Sequence, residues 1–260
     1  MIPDSPHVVG SSKSATFAGQ GRCVRCRRTP DSIQCATATS VTEDGLVDDD
    51  IIIACLGPQD VRGFAEIMVL AFGTEGTNQY VFDFARGDAW AARIRAAVIE
   101  VQSYYDSGAR ILVAWKGSEL VGGAILSRSH SRSLVKRFPA ILRWVVASLP
   151  MATAVRWGRA FRLARALKVS KHPEPPYYTL AALAVHPAHQ GGGIGRLLLE
   201  EIHRVSDQAV DSTGVYLYTA DQTSKEMYER AGYRTLEERR CDHLTVYHMF
   251  RRNTVHRGTD

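Results

Sequence analysis

The stretch Gln190-Gly191-Gly192-Gly193-Ile194-Gly195-Arg196 decides how this chain is read. Before it, Tyr178 to Val185 is a run without a charge; after it, Ile194, Leu197, Leu198, Ile202, Val205 and Ala209 recur at helical spacing. The order is therefore strand, glycine loop, helix. An uncharged strand of this kind is expected to be buried on both faces. Glycines let a backbone approach a ligand closely, and the free N–H groups that open a helix form an anion site, to which Arg196 adds positive charge. Two familiar phosphate loops do not fit. A dinucleotide fingerprint counted from Gly191 and Gly193 needs a third glycine where Arg196 stands, and a P-loop needs Gly-Lys-Ser/Thr.

Working outward, Ile51 to Cys55 reads as a strand. Val61, Phe64, Ala65, Met68, Ala71 and Phe72 predict a first helix, and Trp90, Ile94, Ala97, Val98, Val101 and Tyr105 a second that stops at Gly108. Arg110 to Trp115 and Leu120 to Ser127 predict a hairpin turning at Lys116 to Glu119. Two further helices are expected over Arg132 to Ser148 and Met151 to Val169, before the prolines of His172 to Pro176 end them. Beyond the glycine loop come a strand at Val215 to Thr219, a short helix from Ser224 to Ala231 closed by Gly232, and strands over Arg234 to Arg240 and His243 to Phe250. The pattern is that of an α/β (α+β) protein built on a mixed central sheet flanked by helices. Residues 1–50, rich in Ser and Thr with few large apolar groups, read as a mobile leader, and residues 251–260 as a tail.

The bulk composition, 45% apolar and 23% charged, fits a globular protein and excludes collagen-like or disulfide-framed classes. Five cysteines, an odd number lying mostly in the leader, suggest reduced thiols and a cytoplasmic setting. Cys23-x-x-Cys26 lacks a second ligand pair at zinc spacing, so no metal is expected. The apolar stretch Phe138 to Val155 holds Arg143, Pro139 and Pro150, so no membrane span is expected. The net charge of +5 conceals an asymmetry: Leu120 to Pro173 holds eleven Lys or Arg and no acid, leaving −6 for the remainder. Such a block attracts anions. It shows no interleaved aromatics for base stacking, and nucleic acid is not an expected partner.

The loop also meets the pattern Gln/Arg-x-x-Gly-x-Gly/Ala through Gln190, Gly193 and Gly195. With the preceding Leu183 to His189, and with Met227-Tyr228-Glu229-Arg230-Ala231-Gly232-Tyr233 further on, it resembles the GCN5-related N-acetyltransferase (GNAT) superfamily. The resemblance covers Ile51 to Phe250, with residues 128–172 as a basic helical insert. The insert and the approach His172 to Tyr177 are similar to the puromycin N-acetyltransferase-like group, although Ser224 stands where that group often has Asn.

What the resemblance implies is a GNAT fold and an acetyl-CoA-dependent transfer of an acetyl group to an amine, by direct attack on the thioester. Leu183, Ala184 and Val185 would lie along the pantetheine arm. Gln190, Gly191, Gly192, Gly193, Ile194, Gly195 and Arg196 would hold the pyrophosphate, with Ser224 on the cofactor side. Tyr228 would protonate the departing thiolate as general acid. The residues leave the general base open among Asp83, His172, Glu174 and His186, with a water-mediated route as the alternative. The implied partner is a small-molecule amine. Acetylation of a protein amine, a non-catalytic CoA-binding module and a homodimer stay open.

Overall fold

The computed structural model describes residues 51–73, 76–83, 89–129, 155–170 and 173–254. The expected leader, the Cys23/Cys26 pair, the first insert helix, His172 and most of the tail lie outside the described residues.

Seven strands form one mixed sheet: β1 (Ile51–Cys55), β2 (Arg110–Lys116), β3 (Glu119–Arg128), β4 (Tyr178–Val185), β5 (Gly214–Thr219), β6 (Arg234–Cys241) and β7 (Leu244–Arg252). Their spatial order is β1-β2-β3-β4-β5-β7-β6, antiparallel at every pairing except the parallel β4–β5. Six α-helices are described: α1 (Val61–Gly73), α2 (Gly76–Val81), α3 (Ala89–Asp106), α4 (Trp157–Ala166), α5 (Ile194–Asp207) and α6 (Gln222–Arg230). The fold class read from the periodicity is the observed one. Two readings change. Helix α2 went unseen, because a single turn and a half that buries only Tyr80 and Val81 carries no helical period. The second insert helix is described from Trp157, later than the expected start.

The helices cover the sheet in layers that the strand alternation dictates. Phe64, Ala65 and Met68 of α1 and Ala97 and Val101 of α3 pack with Ile111, Val113 and Ile125 on one face. Leu198, Leu199, Ile202 and Val205 of α5 pack with Leu112, Ala124 and Leu217 on the other. In β7, Leu244 and Val246 face α2 and α4, while Met249 joins the α5 side, as the period of two requires. His248 shares the α4 side and is fully buried. Its Nε2 donates to the Ala166 carbonyl, an acceptor only, at 3.0 Å, and its Nδ1 shares a hydrogen bond with Tyr216 Oη at 2.6 Å. That histidine ties the C-terminal end of α4 to the sheet.

Candidate active site

β4 and β5 pair only at Tyr178–Val215 and Thr179–Tyr216, and then part. The cause lies on the opposite edge of β4. There the register passes from Leu126–Leu180 to Ile125–Ala182, leaving Ala181 as a one-residue bulge. A bulge bends its strand and flips the faces of the residues beyond it. Tyr178 and Leu180 accordingly pack in the α5 layer, whereas Ala182 and Ala184 pack in the α1/α3 layer. Leu183 and Val185 come round to the α5 side. This corrects the expectation of a strand buried on both faces: alternate residues of β4 are only half-buried. Among those, Ala181, Leu183 and Val185 line the cleft where the strands separate.

The same divergence exposes backbone groups. The His186 N–H donates to the Val121 carbonyl at 2.8 Å. In an antiparallel ladder alternate residues turn N–H and C=O to opposite edges. Leu183 and Val185 therefore point theirs at the edge that β5 has left. One such group is taken: Gln190 Nε2 donates to the Val185 carbonyl at 3.1 Å.

The glycine loop crosses the end of this gap. Gly191 and Gly193 have φ of 83° and 81°, the left-handed region that glycine enters without penalty. Gly193 is the N-cap of α5 and supplies no capping side chain. The first helical bond runs from Leu197 N–H to the Gly193 carbonyl at 3.0 Å. The N–H groups of Ile194, Gly195 and Arg196 thus open outward without helical acceptors, at the positive end of a 14-residue helix. Gln190, Gly191, Gly193, Ile194, Gly195 and Arg196 line the cleft; Gly192 and the buried Ala184 do not. Arg196 is largely exposed and holds Glu200 at 2.9 Å, so its charge is shared rather than free.

Tyr228 is placed by a helix cap. Gly232, at φ 89°, follows α6 in the left-handed conformation. Its N–H bonds to the Glu229 carbonyl at 3.0 Å, and Tyr233 N–H bonds to the Tyr228 carbonyl at 3.0 Å. These are the two bonds of a Schellman motif, and the expected apolar contact is present as Tyr228 against Tyr233, ring centroids 5.5 Å apart. Asp221 caps the other end through Ser224 N–H at 2.7 Å. The segment Tyr228 to Tyr233 is thus a stop signal that fixes where the phenol sits: 8% exposed and lining the cleft, with Ser224 nearby on the same helix.

The cleft has a volume of ≈ 960 Å³ and is walled by α1, α2, α3 and α4 on one side and by the loop, α5 and α6 on the other. Of the residues considered as general base, Asp83, Glu174 and His186 do not line it. His186 instead caps the turn Pro187–His189, accepting from Ala188 N–H at 3.3 Å. Among the cleft residues that the sequence reading missed are Arg93 and Glu100 of α3. Glu100 is half-buried, and burial raises its carboxyl above the ordinary range by more than Arg93 lowers it. The signal was present: an acid and a base seven residues apart, on one face of α3, beside the buried Ala96 and Ala97.

Residues 158–235 match the family model of the acetyltransferase (GNAT) domain. Among solved structures, the chain is similar to the histone acetyltransferase HPA2 and related acetyltransferase of Corynebacterium glutamicum, with 20% identity and a TM-score of 0.54 over 78% of this chain and 96% of that one. It is also similar to the PaiA N-acetyltransferase of Thermoplasma acidophilum, solved in complex with coenzyme A, with 14% identity and a TM-score of 0.50 over 78% and 98%. None of the curated proteins compared matches the chain. At these identities the structural likeness is one of fold, and that fold is the GNAT fold. The family match, confined to residues 158–235, lies within that fold. Among the described residues no helix is long and apolar enough to cross a membrane, and no group of three His, Cys, Asp or Glu side chains is placed to hold a metal.

Proposed function

We propose that the protein is an acetyl-CoA-dependent N-acetyltransferase acting on a primary amine of a small molecule. The observation that carries the reading is the parting of β4 from β5. It turns the backbone groups of Leu183 and Val185 into a cleft whose end is the open N-terminus of α5. A cosubstrate with a phosphate-bearing head and an amide-bearing arm fits both: phosphates at the loop from Gln190 to Arg196, amides along the β4 edge. In this reading Ser224 lies on the cofactor side, and the site is that of a domain spanning 51–250 with the insert at 128–172. Similarity to the puromycin N-acetyltransferase-like group belongs to the same proposal.

The amine nitrogen attacks the thioester carbonyl carbon while a β4 backbone N–H stabilises the charge growing on the carbonyl oxygen. The C–S bond then breaks, and the Tyr228 hydroxyl gives its proton to the departing thiolate. A phenol suits that task when it is held beside the sulfur. Leu163 and Leu167, in α4 and just after it, wall the acceptor side, which favours a small acceptor over a protein surface. The test is release of free thiol from acetyl-CoA over a panel of small primary amines. Release above the hydrolysis background is expected with at least one of them. CoA binding without release with any amine would reduce the protein to a binding module.

A further inference from the structure

We propose that Glu100 receives the acceptor, holding its amine as an ammonium ion and taking the proton that must leave before nitrogen can attack. The inference rests on the acetyltransfer reading above. Two carboxylates line the cleft among the described residues, Glu100 and Asp221. Asp221 is committed to the α6 cap, its Oδ2 accepting from Ser224 N–H at 2.7 Å. Glu100 has no hydrogen-bond donor among the described residues. Its one charged neighbour, Arg93 Nη1, is 3.8 Å away, beyond hydrogen-bond reach. Arg93 is itself drawn over the Phe82 ring, 5.9 Å from its centroid.

The Glu100 side chain is 38% exposed and opens to the cleft with its nearest cation 3.8 Å off, so its oxygens can accept from a ligand. Its helical neighbours Ala96, Ala97 and Val101 are buried and apolar, so a leucine or glutamine would serve the packing as well. Among the described residues no side chain donates to Glu100, and an ammonium ion in the cleft would. Position agrees with this. Glu100 belongs to the α1/α3 layer, while the glycine loop opens α5 on the opposite face, so acceptor and cosubstrate would approach the gap in β4 from different sides. Across the cleft stand His189, Arg196, Arg230 and Tyr228. The cleft residues of α1, namely Met68, Ala71 and Phe72, bring no titratable group, and Arg62 and Glu66 pair with one another at 2.9 Å. His189 is engaged by Glu119 at 3.2 Å.

The proton balance closes. The Glu100 carboxylate takes one proton from the ammonium and becomes neutral, and the freed lone pair forms the C–N bond. As C–S breaks, Tyr228 protonates the thiolate and the nitrogen loses its second proton, which restores the phenol directly or through water. Glu100 then gives its proton to solvent. Burial holds its carboxyl above the ordinary range, closer to the amine it must deprotonate.

The experiment compares wild type, Glu100→Gln and Glu100→Asp in the full chain, with acetyl-CoA and paired panels of primary alkylamines and arylamines. For the best alkylamine, Glu100→Gln should lower kcat/KM by roughly 10²–10⁴-fold and abolish the rising acid limb of its pH profile. Glu100→Asp should recover part of the loss, and an arylamine, already neutral, should lose far less. The Kd for CoA should stay at the wild-type value, which controls for folding. Equal kcat/KM and an unchanged pH profile in Glu100→Gln would overturn the inference, as would a wild type that turns over arylamines alone. A wild type that releases thiol with no amine at all would instead sink the proposed function, and this inference with it.

Discussion

The side-chain amide of Gln190 donates to the backbone carbonyl of Val185 across 3.1 Å, joining the first residue of the glycine loop to the last residue of β4. Loop and strand end are the two surfaces that an extended, phosphate-headed ligand would have to reach at once. The bond fixes the offset between them while leaving the N–H groups of the helix opening free. It also gives Gln190 a physical reason to stand at this position, one that phosphate contact alone would not supply.

Gln190→Leu keeps the side chain's bulk and removes its donor. A net hydrogen bond contributes about 0.5–1.5 kcal/mol, so CoA should bind about 2- to 12-fold more weakly by titration calorimetry, with little change in Tm because the residue is exposed. Unchanged affinity would mean that the loop holds its place without the strap.

Gly193 combines φ of 81° with a place at the N-cap of α5. No atom lies within 4 Å of a Cβ built there, so the cost of a side chain is strain in the left-handed region together with obstruction of the open loop, not a clash inside the fold. Gly193→Val should destabilise by about 1–2 kcal/mol and lose CoA binding. A folded variant that binds CoA as tightly as wild type would remove the loop from the cosubstrate site.

Tyr228→Phe separates the phenol's two tasks. The ring against Tyr233 that completes the helix cap is kept, so Tm should hold. If the hydroxyl is the general acid, kcat should fall by roughly 10²–10⁴-fold with CoA affinity unchanged. Turnover at the wild-type rate would leave Tyr228 as a cap residue and assign the proton to water.

Much of this site could be read from the chain because its parts are local. The loop from Gln190 to Arg196 and the segment from Tyr228 to Tyr233 are a helix start and a helix stop, and each carries its geometry in consecutive residues. The bulge at Ala181 could not be read that way. It is a register shift against β3, and nothing in the uncharged run Tyr178 to Val185 marks which residue is surplus. Glu100 was passed over for a related reason. A stripe defined by its apolar members does not say whether the acid beside them meets solvent or a cleft formed by α1, α2 and β4. His186 illustrates the converse, a side chain of catalytic type that serves a turn.

Acid should weaken the fold through His203. Burial first, then the nearby Arg251, lower its pKa from 6.5 to about 4, and its Nε2 lies 3.2 Å from Tyr233 Oη. The unfolded chain takes up a proton near pH 6.5, which the folded chain refuses until about pH 4. Stability is therefore lost as pH falls through that window and is unaffected by this group above it. Thermal melts from pH 7 to pH 4.5 should show Tm falling more steeply in wild type than in His203→Leu. Parallel slopes would show that other groups govern the acid limb.

The basic helix α4 looked like an anion-attracting surface, and two of its arginines are already spoken for. Arg162 reaches Asp242 at 3.1 Å and Tyr80 Oη at 3.3 Å, while Arg159 lies over the Tyr80 ring at 5.3 Å. Tyr80 Oη in turn donates to Asp242 at 2.5 Å. One buried phenol thus joins α2, α4 and the turn between β6 and β7, where Asp242 adopts φ of 53°. Tyr80→Phe removes the hydroxyl and leaves Asp242 with Arg162 as its partner. It should lower Tm by about 2–4 °C, the shift that roughly 1 kcal/mol produces in a chain of this size. Arg162→Gln should act in the same direction. Because Leu163 and Leu167 line the cleft, loosening α4 should raise the acceptor KM more than the KM for acetyl-CoA. Thermal melts and steady-state kinetics at low and high salt test this together. A KM for acetyl-CoA that rises with salt and with Arg162→Gln at constant Tm would instead make the arginines part of the anion site.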